Sequence, residues 1–259
     1  MAFTYGTIWG DYGDEKVVGS AKLHPLGSRM VLPDGRAFRY ASNSTAAELH
    51  AGVIVQSAAA TAADDTDVPL AAQASVGDKS ISITAAGTIA ANKYADGLIY
   101  LNDGTGEGTV YKIASHLAGT GSATMVVNLY DGDTVAVATD STVANTLCGL
   151  ALNTYSTLVV QPTTITNLAC GVTPTTVTVS TSTVTYYFWA QTWGEAAVLA
   201  NAAGVVGQHV RAGGASTAGG YEDLDRDDTH ENEQAIGVQM QIAPTSGGDY
   251  GLVFLQIAP

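Results

Sequence analysis

Charge is what this chain has least of. Charged residues fill 13 % of 259 positions, and ten basic residues face 24 acidic ones, for a formal net charge of −14. A surface so poor in Lys and Arg repels phosphate, so nucleic acid is not expected as a partner. Cysteine is almost missing: Cys148 and Cys170 are the only two, too few for a disulfide framework at this length. There is no apolar run of the roughly eighteen residues that a membrane-crossing helix needs. The opening MAFTYGTIWGDYGDEK has neither the basic head nor the hydrophobic stretch of a signal peptide or anchor. No membrane association is therefore expected.

Catalytic signatures are missing too. No G-x-S-x-G elbow, no G-x-x-x-x-G-K phosphate loop and no dinucleotide fingerprint occurs. Gly104, Gly106 and Gly108 form G-x-G-x-G inside a hairpin loop rather than at a helix start, so the phosphate cradle is lacking. The five histidines, His24, His50, His116, His209 and His230, are scattered, with no i, i+4 pair and no cysteine alongside. The stretch 221–233 carries seven carboxylates, and Asp223, Asp225 and Asp227 match the first three ligand positions of a calcium loop. Asp228 then stands where the sharp turn wants glycine, and Gln234 where a bidentate Glu is needed. A solvated loop is expected there, with the three aspartates as the weak metal candidates. Neither cofactor nor enzymatic activity is expected, although a glycosidase carboxylate pair is a spatial feature that sequence does not display.

Ala, Gly, Thr, Val and Ser are abundant, a mix suited to short strands and many turns. The fold class expected is mainly β, an antiparallel sandwich or barrel-like domain with an extended N-terminal arm and at most one or two short helices. Its centre is the stretch 184–211, which holds Tyr186, Tyr187, Phe188, Trp189 and Trp193. Alternate strand residues point to opposite faces, so Tyr186 and Phe188 fall on one side and Tyr187, Trp189 and Trp193 on the other. Both sides are apolar, so both must be covered. Trp193-Gly194-Glu195 reads as the turn that ends the strand.

Along the chain, residues 1–43 are glycine- and proline-punctuated and form the expected arm. Met30 to Tyr40 contains a hairpin built on Pro33-Asp34-Gly35. Thr45 and Glu48 have capping-box spacing, predicting a short helix over about 46–60 with a linker to residue 69. Residues 70–259 form the β region, with a possible division into two subdomains near 160–172. Strands are expected at 80–84, 97–101, 109–113, 124–130 and 134–138, with an edge strand at 173–185 and a terminal hairpin over 235–258. No repeat of fixed period is present. The first forty residues carry five basic and four acidic residues, while the rest carries five and twenty, which suggests that the arm meets a different environment. An arm of this kind has no core for Phe3, Tyr5, Ile8 and Trp9, so a partner or a neighbouring copy is expected to order it.

Several stretches resemble one family. LPDGRAFRYA (32–41), AAELHAGVIVQS (46–57), Gly77-Asp78-Lys79, Tyr94-Ala95-Asp96-Gly97 and YFWAQTWGEAAVLA (187–200) are together similar, in order and flavour, to the capsid decoration or cement proteins of tailed bacteriophages. The resemblance implies a structural virion protein on the capsid exterior, assembled in the host cytoplasm, that binds the major capsid protein shell and neighbouring copies of itself as a dimer or trimer. It also implies that residues 1–43 lie on the shell, with Arg36, Phe38, Arg39 and Tyr40 as contacts. Two other readings stand beside it. One is a head- or tail-fibre domain whose Trp189 and Trp193 stack on host glycans, and the other is a polysaccharide hydrolase.

Overall fold

The computed structural model describes residues 6–58, 64, 66–140, 142, 145–202, 204–213, 217–224, 234–241 and 248–259. The chain divides into two compact units: Tyr5–Ala59 folds with Thr154–Pro259, and Ala60–Asn153 forms the second unit between them in sequence. Before the insertion come β1 (Ile8–Trp9), β2 (Arg29–Val31), β3 (Ala37–Ser42) and β4 (Ile54–Gln56). The inserted unit holds β5 (Val68–Pro69), β6 (Ser80–Thr84), β7 (Leu98–Asp103), β8 (Val110–His116), β9 (Thr124–Leu129) and β10 (Leu147–Ala151). After it follow β11 (Val159–Val160), β12 (Ala169–Val172), β13 (Tyr187–Leu199), β14 (His209–Ala212), β15 (Tyr221–Asp223), β16 (Ala235–Gln239) and β17 (Tyr250–Gln256). The architecture is mainly β, as composition indicates.

The larger unit is one eleven-stranded sheet of order β1-β2-β3-β13-β17-β16-β14-β15, with β12, β4 and β11 branching from β13. Strand β13 organises it. In its first half both faces are buried, as its aromatic composition requires. Phe188 and Ala190 pack with Leu49, Val55, Leu158 and Val177, while Trp189 packs with Met30, Leu32, Phe38 and Tyr40. The register against β3 shifts between Gln191 and Trp193. Trp193, Gly194 and Glu195 continue the strand, paired with Gln256, Leu255 and Phe254 of β17, so the expected turn does not form. Gly194 takes φ 87°, and a Cβ there would sit 3.0 Å from Arg36 Cγ. Bulge and glycine bend the strand instead of ending it.

Beyond this bend β13 is one-sided as far as Val198, and Leu199 is buried again with the Phe188 cluster. Ala196 and Val198 join Val210, Tyr221, Ile236, Val253 and Leu255 in a second core, while Glu195 and Ala197 are exposed. A bridge between Ala200 and Tyr221 returns β15 to the end of β13, so β13, β17, β16, β14 and β15 curl into a nearly closed barrel-like sheet. The expected hairpin of β16 and β17 is present.

Residues 29–42 are not an arm. The Pro33-Asp34-Gly35 hairpin forms, with Leu32 N–H donating to Arg36 O at 3.0 Å, and β3 then pairs along β13 from Ser42 to Ala37. Ile8 and Leu26 pack on the Met30–Phe38–Tyr40–Trp189 cluster. The Tyr40 hydroxyl donates to Ala21 O (3.2 Å) and accepts from Leu23 N–H (3.1 Å). The chain thus covers Ile8 and residues 29–42 itself, while Trp9 stays exposed.

Over its described residues, 46–58, the helix predicted for 46–60 does not form: the chain turns at Ala51-Gly52 and then runs as a strand. Leu49 bridges to Val177 and Ile54–Gln56 is a strand. Gly52 has φ 75°, and the β-branched run Val53-Ile54-Val55 favours pairing over helix. The capping box is not engaged: Ser44 Oγ accepts from Ala46 N–H, and Glu48 lies 3.4 Å from His50. Two other strand predictions also give way. Residues 134–138 are coil, and over 173–185 only Val177 makes a bridge, because alternation of Thr with Val supplies propensity without a partner edge.

The inserted unit is a six-stranded antiparallel sheet of order β5-β10-β7-β8-β9-β6. Period-two burial places Ile81, Ile83, Ile99, Leu101, Tyr111, Ile113 and Val127 in its core. The glycine-rich loop joins β7 to β8 as expected, with Gly108 N–H donating to Leu101 O at 2.8 Å. The unit boundary falls after Asn153, not near 160–172, since β11 and β12 pair with β4 of the larger sheet.

Burial separates two aromatic residues of the N-terminal segment. Phe38 is fully buried and Trp9 is 78 % exposed. Phe38→Ala is expected to cost about 3–5 kcal/mol and Trp9→Ala to stay within about 0.5 kcal/mol, as read by denaturant unfolding of the two variants.

Candidate functional site

Two surface features of the larger unit are built by its N-terminal segment. The first is an exposed apolar edge. Strand β1 lies parallel to β2 at the end of the sheet, and alternation turns Ile8 inward and Trp9 outward. Tyr12, Val17 and Leu23 are exposed along with Trp9, so four large apolar side chains between residues 9 and 23 meet solvent on a backbone tied down by Gly10 N–H to Val31 O, Gly19 N–H to Tyr187 O and the Tyr40 hydroxyl.

The second feature is a cleft of about 490 Å³ bordered by the 3₁₀ turn Asp14–Lys16, Arg36 of the β2–β3 turn, the outer side of β13 and the start of β17. Glu15 is 3 % exposed. One of its oxygens, Oε2, accepts from Gly13 N–H at 2.6 Å, and the other, Oε1, lies 3.9 Å from Lys16 Nζ and 4.0 Å from Arg36 Nη2. Arg36 Nε also donates to Asp34 Oδ2 at 2.7 Å. Desolvation, the largest single influence, pushes the Asp34 carboxyl up, but the hydrogen bonds and charge of Arg36 together outweigh it and hold it below its ordinary range. Across the cleft Tyr250, half exposed, lays its ring edge on Gly52. A Cβ at Gly52 would stand 2.5 Å from Tyr250 Cε1, so only glycine lets the ring lie there. Beneath, Gln191 Nε2 donates to Trp193 O and Glu195 O and holds the bend of β13.

The residues singled out in the sequence fare unequally. Trp9 stands at the exposed edge. Phe38 and Tyr40 are buried, at 0 % and 4 %, so their expected role as capsid or subunit contacts is overturned: they cover β13 of their own chain. Arg36 borders the cleft. Arg39, half-buried, donates to Gly27 O (3.3 Å) and Pro259 O (3.0 Å). Phe3 and Tyr5 lie outside the described residues, as do Asp225, Asp227 and His230. Asp223 is half-buried on β15. Among the described residues no three His, Cys, Asp or Glu side chains gather as a metal group. His24 packs edge-on to Tyr40 with ring centroids 5.2 Å apart, and His116 Nε2 accepts from Tyr94 N–H at 3.0 Å inside the inserted unit. Trp189 is buried and Trp193 packs edge-on against Phe254, so Trp189 does not serve the glycan stacking considered for it. Sequence reading passed over Tyr12, Leu23, Glu15 and Tyr250. Glu15 carried no signal because an acidic residue in a glycine-rich stretch reads as solvated.

Comparison of the chain with protein-family models, curated proteins and solved structures finds no match. The class that its own geometry defines is a mainly-β protein with a nearly closed barrel-like sheet and an inserted second sheet.

Both thiols are free and buried. Burial pushes Cys148 and Cys170 up to about 12 each, which leaves almost no thiolate at neutral pH. A thiol reagent at pH 8 is expected to label neither until the protein is unfolded. The folded value lies above the unfolded one, so the protonated thiols favour folding below about pH 9. That contribution declines as pH rises from about 9 towards 12. Denaturation curves at pH 8 and 10.5 should show the loss, and Cys148→Ala should reduce it.

Proposed function

We propose that this chain is a structural virion protein that binds the outside of a tailed-phage capsid shell and stabilises it as a decoration or cement protein. The observation that carries the reading is the exposed apolar edge at Trp9, Tyr12, Val17 and Leu23. Large apolar side chains concentrated on one short, backbone-anchored segment suit protein contact more than solvation. The rest of the reading follows from the resemblance. Of the stretches that carry it, 32–41 lies in the β2–β3 hairpin and 187–200 covers β13, the frame on which this edge is mounted. A protein with net charge −14 keeps a densely coated particle soluble. The partners are the major capsid protein shell and neighbouring copies of the chain, and many modest contacts sum by avidity against internal pressure. The role is one of binding, with no reaction, on the virion exterior.

The contact assigned here differs from the one first expected, because residues 29–42 are held within the sheet and, among the described residues up to 43, the exposed large apolar side chains all come before them. The test is co-sedimentation with expanded shells built from the cognate major capsid protein. The variant Trp9→Ser/Tyr12→Ser/Leu23→Ser should lose attachment by at least about tenfold, or roughly 1.4 kcal/mol, and should no longer raise the melting temperature of the shells, while its own unfolding midpoint stays near that of the parent. Undiminished attachment would remove the edge as the contact. Failure of the parent chain itself to bind would overturn the decoration role.

A further inference from the structure

We propose that the cleft between the 3₁₀ turn and Tyr250 is a binding site for a neutral saccharide. Four charged side chains border it, Glu15 and Glu195 against Lys16 and Arg36, and Asp34 is held to Arg36, so no excess of positive charge is present to select an anion. The floor is small: Gly52 and alanines leave room for a ligand, and about 490 Å³ lies within the size range of small-molecule sites.

The spacing of the polar groups selects hydroxyls. Glu15 Oε1 is 3.9 Å from Lys16 Nζ and 4.0 Å from Arg36 Nη2, beyond hydrogen-bonding distance in each case. A hydroxyl is both donor and acceptor, so one seated to the side of the pair, within reach of both, donates to the carboxylate and accepts from a cation. A carboxylate beside a guanidinium therefore reads a hydroxyl in both roles. Glu15 is 3 % exposed and fixed by Gly13 N–H, so it is oriented before any ligand arrives. Tyr250, which also borders the cleft, is half exposed with its ring edge on Gly52, and an exposed phenol ring is a surface that accepts the C–H side of a pyranose. The lining thus combines groups for hydroxyls with one for carbon.

This site shares no residue with the exposed apolar edge, so its test is independent of shell binding. The full chain would be examined by saturation-transfer difference NMR against neutral mono- to tetrasaccharides of glucose, galactose, mannose, rhamnose and N-acetylglucosamine, with glucuronate and glucosamine as charged comparisons. Any sugar that responds would then be titrated by calorimetry. Saturation transfer to at least one neutral sugar is expected, together with at least about tenfold weaker binding in Tyr250→Ala and in Glu15→Gln, the fold being checked by circular dichroism. Tyr250 is half exposed and its removal leaves the core intact, so that variant decides the matter if Glu15→Gln fails to fold. The proposal is overturned by silence across the neutral series, by tighter binding of either charged sugar, or by Tyr250→Ala binding within roughly twofold of the parent.

Discussion

Strand β13 cannot stand at the surface. With Phe188 and Trp189 on opposite faces, half of its length must be covered twice, and desolvation of large aromatic area is the strongest non-directional force available to this chain. That requirement explains why so much of the N-terminal sequence is drawn into the sheet. The β2–β3 hairpin provides Met30, Phe38 and Tyr40 for one face, and the chain around β4 provides Leu49 and Val55 for the other. Once past the bulge at Gln191 and the left-handed Gly194, the strand turns Ala196 and Val198 into the barrel core, leaves Glu195 and Ala197 to solvent on the other face, and is covered there again only at Leu199.

What could be read from sequence was what is local. The hairpin at Pro33-Asp34-Gly35, the glycine-rich loop between β7 and β8, and the β16–β17 pairing each arise from neighbouring residues with turn chemistry between alternating runs. The doubly buried strand was legible because two adjacent aromatics force two covers whatever those covers are. Which segments provide them was not, because the β3–β13 pairing joins residues about 150 positions apart and no local pattern records it. The same blindness made residues 29–42 look like an arm and gave Phe38 and Tyr40 a partner-facing role. The 46–60 segment shows propensity deciding against a motif: the capping spacing was present, but Gly52 and three β-branched residues were worth more to a strand. Of the cleft, only Arg36 stood out beforehand, since Glu15 and Tyr250 come to border one cleft through a fold that brings both ends of the chain's larger unit to β13.

Scaffold and surface are therefore divided along the sequence in an uneven way. Residues 29–42 and 187–199 carry the frame, and the short segment before them carries both the exposed apolar edge and one wall of the cleft. The Tyr40 hydroxyl joins these layers: its ring belongs to the core and its oxygen holds Ala21 and Leu23. Burial pushes its ionisation up, with the Leu23 amide acting in the opposite sense, so the clamp keeps its proton through the ordinary pH range.

The inserted sheet begins and finishes on adjacent strands, with Val68 opposite Cys148 and Pro69 opposite Leu147. At these pairs the first and last strands of the inserted sheet run about one strand spacing apart, some 4.8 Å. All six strands of that sheet come from within the insertion, so the unit completes its sheet with no strand borrowed from the rest of the chain and is closed at the β5–β10 stem. Foreign cargo whose own termini lie side by side could be spliced at this stem, turning the molecule into a display platform.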